Sequence, residues 1–223
     1  MFNKKELFSI VSVALVLGTI ISISSESIEA WQSYIFKAIG VVFLVIMINV
    51  IFKKIMAHYF QAEIEVSLWQ FRRWIYPAGK GRIKGIKPHE YSKNWFPAGF
   101  FFPLIIKFLS VGLLNWMACL TFDVKGTIYR AARRWGMYQY SEVTEHEMAW
   151  IAFVGIFVNI VFAILAYLTN LPLFAKVNLL YAFYNSIPIS NLDGTKMFFG
   201  YEKLWWISMV VSGIGVVASL VII

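Results

Sequence analysis

Residues Asn185-Ser-Ile-Pro-Ile-Ser-Asn-Leu-Asp-Gly194 interrupt an apolar run that begins near residue 173. Asn185, Pro188, Ser190 and Asn191 disfavour a continuous helix, and Asp193-Gly194 closes the stretch. Pro188 removes one backbone N–H and frees a carbonyl one turn earlier. In a bilayer such broken backbone is tolerated only inside protein or beside a water-filled cavity, which makes the stretch a candidate site. The competing reading is a helix that ends at the interface with Asp193 solvated. The residues alone leave the two level, because Asp193 lies near a helix end.

The rest of the chain sets the class. Of 223 residues, 60% are apolar and 14% charged, with a mean hydropathy of +0.69. A soluble domain has roughly 45–50% apolar and about 25% charged residues. The composition excludes a soluble globular or a disordered chain and predicts an all-α polytopic membrane protein. The net charge of +8 is assigned to basic cytoplasmic loops beside anionic lipid, not to nucleic acid. The single cysteine, Cys119, excludes an intrachain disulfide and a Cys-rich metal site. Any metal needs carboxylates and the three histidines, His58, His89 and His146.

Hydropathy divides the chain into one membrane domain over 1–223. Residues 7–25 follow Lys4-Lys5 and are uncharged, a retained first span rather than a cleaved signal. The second runs over 31–52, and its helical pattern continues to about 62. The loop 63–94 is basic and rich in Gly and Pro, with a short strand near its start. By the positive-inside rule it is cytoplasmic, as is the N-terminus. Segment 97–118 carries Lys107 in mid-run. A full crossing would put the basic stretch 119–147 outside, so a re-entrant segment is the favoured reading. Spans over 148–169, 173–193 and 204–223 follow. The total is five full spans plus one re-entrant segment, or six full spans, with a small cytoplasmic β element.

Two further patterns precede the broken helix. Lys54 and His58 lie one turn apart on one helix face, which by itself describes a basic helix end at the membrane surface. Gly155 and Asn159 sit inside an apolar helix, where a small residue permits close approach and a buried Asn bonds across helices. For that pair alone, ordinary packing is the stronger reading.

In this order the three patterns resemble the site-2 protease family of intramembrane zinc metalloproteases, the M50 peptidases. That family carries a His-Glu-x-x-His helix, a Gly-Pro-x-x-Asn helix and an Asn-x-x-Pro-x-x-x-Leu-Asp-Gly helix end. The last is present in full at Asn185, Pro188, Leu192, Asp193 and Gly194, and the middle one at Gly155 and Asn159, with Ile156 in place of Pro. The first is degenerate. Aligned on His58, Lys54 replaces the first His and Ile55 the general-base Glu. His89-Glu90 and His146-Glu147 have Lys93 and Trp150 at the second-His position, so neither completes the motif.

The resemblance implies a site-2-protease-like core with a groove near Asn159, Asn185 and Pro188. Zinc would be held by His58 and Asp193 if the chain were active. Catalytic zinc needs three protein ligands, a water and a group to take that water's proton. With Lys54 and Ile55 in the motif, the expectation is no cofactor and no protease chemistry. A pseudoprotease that binds membrane-anchored segments of partner proteins is expected. The alternatives are an active zinc protease with unusual ligands and an unrelated transport or structural membrane protein. An ion pair between Lys54 and Asp193 is expected where the metal would sit.

Overall fold

Long apolar runs in this chain become helices because a helix satisfies its own backbone groups. The computed structural model describes residues 3–23, 28–72, 95–127 and 143–222. His89 and the larger part of both basic loops, residues 73–94 and 128–142, lie outside them. In chain order the elements are α1 (Lys4–Ser22), α2 (Ile28–Tyr59), β1 (Ala62–Leu68), β2 (Phe71–Arg72), β3 (Trp95–Phe96), α3 (Ala98–Leu109) and β4 (Leu120–Gly126). Then come α4 (Glu145–Leu168), α5 (Pro172–Ser186), α6 (Asp193–Gly200) and α7 (Glu202–Ile222). Among the described residues, three helices are long and apolar enough to cross a membrane: Lys4–Ser22, Tyr34–Tyr59 within α2, and Glu145–Leu168.

The broken stretch divides differently from the expected helix over 173–193. Helix α5 stops at Ser186, after 15 residues or about 22 Å at 1.5 Å per residue. Ile187 N–H takes the Tyr184 carbonyl at 3.3 Å, the group one turn before Pro188. The buried Trp205 indole of α7 donates to the Ser186 carbonyl at 2.9 Å. Asp193 is therefore the first residue of a new helix, α6, and not the last of an old one.

Helix α2 is one 32-residue rod. Its inward stripe is Ala38, Val42, Val45, Ile46, Asn49, Lys53 and Ala57, all buried and spaced by three or four residues as one helix face requires. Helix α1 packs along α2 from Glu6 beside Lys54 to Gly18, where the small residue allows close approach. A Cβ there would lie 2.7 Å from the Ile39 Cα. Helix α4 packs on α2 beside Asn49 and Lys53, and α5, α6 and α7 complete the bundle.

Segment 97–118 folds back on itself. Helix α3 has only 12 residues. Beyond a turn at Val111 and Gly112, both at positive φ, the chain returns extended to β4. Gly99 N–H bonds the Trp69 carbonyl and Trp69 N–H the Cys119 carbonyl, each at 2.8 Å. A Cβ on Gly99 would strike that same Cys119 carbonyl, so the two ends of the segment meet. Lys107 is buried, and its ammonium donates to the Gly112 carbonyl and Asn115 Oδ1, each at 2.7 Å. The charge inside this apolar segment is thereby satisfied within it.

Strands β1 and β4 pair antiparallel with Val66 opposite Phe122. β2 and β3 form a separate two-residue pairing.

Candidate functional site

The break after α5 delivers Asp193 to the inward stripe of α2. Asp193 is fully buried, and its Oδ2 receives Lys53 Nζ in an ion pair whose side chains are 6% and 0% exposed. Its position at the start of α6 adds favourable backbone dipoles. Gly155 on α4 makes room for Lys53. A Cβ there would collide with Lys53 Cε and lie 2.9 Å from Asn49 Nδ2. The small residue of the middle pattern therefore serves Lys53 directly.

The expected pair between Lys54 and Asp193 is not formed. Consecutive helix residues point about 100° apart, so Lys54 leaves the stripe and meets α1. There Lys54 Nζ lies 2.8 Å from Glu6 Oε2 and 3.1 Å from Oε1. Glu6 also accepts the Asn3 N–H at 2.8 Å and the Val66 N–H at 2.9 Å, which ties the start of α1 to the interior of β1. Ile55 and His58 are exposed. The structure sets His58 off the Asp193 face, and in its place the stripe presents Ala57.

The other sequence-derived site residues separate in the same way. Asn159 and Asn185 are buried, whereas Pro188 is exposed. Asn185 Nδ2 returns to the Tyr181 carbonyl at 2.8 Å. Asn159 makes no cross-helix bond. Both polar atoms of Asn159 and of Asn49, together with Asp193 Oδ1, have no hydrogen-bond partner among the described residues.

Sequence reasoning missed Lys53, Asn49, Glu6, Phe122 and Lys196. The signal for Lys53 was the stripe, on which it falls and Lys54 does not. Lys196, one turn into α6, donates to the Phe122 carbonyl, and its ammonium lies 3.5 Å from the Phe122 ring centroid. Lys53 Nζ lies 5.1 Å from the same ring. Burial pushes Lys196 down to about 8. Asp193 and Asp123 pull it up, and Lys53 pushes it further down.

The donor set does not fit catalytic zinc. The Asp193 carboxylate is paired with an ammonium, and one turn beyond that lysine α2 carries the buried Ala57. Among the described residues no three His, Cys, Asp or Glu side chains converge. A lysine could ligate only after losing its proton, and among the described residues no second carboxylate joins Asp193 to take a proton from a bound water. What the cluster can do is hold a buried carboxylate with a fixed cation. No family model, curated protein or solved structure matches the chain.

Proposed function

We propose that the chain is a site-2-protease-like, multi-pass membrane protein that binds transmembrane segments of partner proteins without cutting them. In this reading the N-terminus and the basic loops 63–94 and 119–147 face the cytoplasm. The segment between them dips into that leaflet and returns. The observation that carries the proposal is the Lys53–Asp193 pair seated against Gly155. It joins the Asp of one family motif, the Gly of another and a cation from the helix that should supply the zinc ligands. With Lys53 taken as the first-His position, Lys54 falls at the Glu and Ala57 at the second His. All three chemical groups are then replaced, and Lys53 supplies positive charge without an open coordination position.

The test is zinc content and cleavage of a transmembrane reporter, measured on protein purified in dodecyl maltoside. The native chain is expected to carry far less than one zinc per chain and to leave the reporter intact. A Lys53→His, Lys54→Glu, Ala57→His variant is expected to bind zinc near stoichiometrically. Stoichiometric zinc in the native chain together with reporter cleavage would establish the active-protease alternative. A triple variant that folds but takes no zinc would remove the family assignment.

A further inference from the structure

Three buried side chains between α2 and α4 carry hydrogen-bond donors that are not taken up. Lys53 Nζ has three N–H groups, and among the described residues its one hydrogen-bond acceptor is Asp193 Oδ2. Both amide atoms of Asn49 and of Asn159 are unpartnered among the described residues, and both side chains are fully buried. Buried polar groups in this state are costly and are normally matched by a partner.

The donors gather at one place. A Cβ on Gly155 would meet Lys53 Cε and lie 2.9 Å from Asn49 Nδ2, so both α2 side chains meet α4 at that residue. Asn159 follows Gly155 by one turn on the same face of α4.

Charge is uneven there as well. Lys53 Nζ and Lys196 Nζ lie 5.1 and 3.5 Å from the Phe122 ring centroid. Asp193 is the one buried carboxylate beside them among the described residues, since Glu6, the other buried acid, is engaged by Lys54. Asp123 acts on Lys196 only from the exposed face of β4. Two ammoniums repel a cation from this cluster. Water satisfies the amides and leaves the extra positive charge. A small anion answers both deficits, because it accepts from several donors and offsets the second ammonium.

We propose that Lys53, Asn49 and Asn159 form a binding site for a small monovalent anion of chloride size. The anion accepts from the Lys53 ammonium and the two amides, and part of its hydration shell serves the amide oxygens. It clasps α4 to α2, which otherwise meet at this level through the contacts of Gly155 with Asn49 and Lys53. The site goes beyond the reading of the chain as a non-cutting binder and does not depend on it.

The experiment is differential scanning calorimetry of the full chain in dodecyl maltoside, at constant ionic strength, with chloride exchanged stepwise for gluconate. The melting temperature should rise with chloride and saturate. Bromide should replace chloride, and exchanging sodium for potassium should change nothing. Asn49→Leu and Asn159→Leu should each raise the half-saturating chloride concentration about tenfold or more, as loss of a hydrogen bond to a charged group does. Equal melting of the native chain in chloride and gluconate overturns the site. So does a chloride response that both asparagine variants retain in full. A response to the cation in place of the anion also overturns it. Where Asn159→Leu does not fold, Asn49→Leu decides by the same criterion.

Discussion

Replacing Lys53 by Ala removes the cation from a carboxylate that is fully buried. One Asp193 oxygen already lacks a hydrogen-bond partner among the described residues, and the substitution strips the other. Breaking a buried pair in this way costs about 3–5 kcal/mol, because the remaining charge is neither solvated nor paired. Lys54→Ala is the control. Glu6 keeps the Asn3 and Val66 N–H bonds, and the Lys54 side chain is 18% exposed. Its loss should cost about 1–2 kcal/mol. The chain supplies its own probe: its one cysteine, Cys119, is fully buried, so a thiol-reactive dye reports unfolding in detergent. Lys53→Ala should lower the melting temperature several degrees more than Lys54→Ala. A Lys53→Met, Asp193→Leu double change should recover much of the loss, since an apolar pair leaves no orphaned charge. Equal effects of the two alanine substitutions would refute the assignment of Lys53 to the buried pair. So would a double variant no more stable than Lys53→Ala.

Gly155→Ala should destabilise by about 1–3 kcal/mol through overpacking against Lys53. The same change in a Lys53→Ala background should cost far less, which a dye-melting cycle measures. Gly18→Ala should cost a similar amount irrespective of Lys53, because its obstacle is the Ile39 backbone. Lys196 falls from 10.5 to about 8 on burial, so between those values the unfolded chain holds more protons than the folded one. Stability then rises with pH across that window. The native chain should gain roughly 2–3 kcal/mol on Lys196→Met between about pH 8 and 10.5, read from melts in detergent. With Cys119 replaced by Ser, cysteines introduced at Glu63 and Thr127 should react with an impermeant maleimide from the same face of a vesicle. Reaction from opposite faces would contradict the meeting of Gly99 and Cys119.

The long helices and Asp193 were legible because apolar length and a broken Asn-to-Gly stretch are local signals. The return of segment 97–118 was argued from where Lys125, Arg130, Arg133 and Arg134 would otherwise fall, and in the structure the hydrogen bonds through Trp69 bring its two ends together. The partner of Asp193 was misread by one residue. Anchoring the alignment on His58 chose the face of α2 that carries Lys54 and His58, although the small and apolar stripe through Ala38, Val42, Val45, Asn49 and Ala57 names the buried face and includes Lys53. The Glu6–Lys54 pair left no local trace, since 48 residues separate its members. Lys196 gave no sign either. Only the fold brings it to the Phe122 carbonyl, 74 residues away in the chain.

Adjacent lysines on α2, about 100° apart around the helix, engage acids on two different helices, Lys53 on α6 and Lys54 on α1. Mechanically this makes α2 a shaft with two keys. A rotation about its long axis that relaxes one pair moves the other along its own arc, so neither α1 nor α6 can shift its azimuth alone.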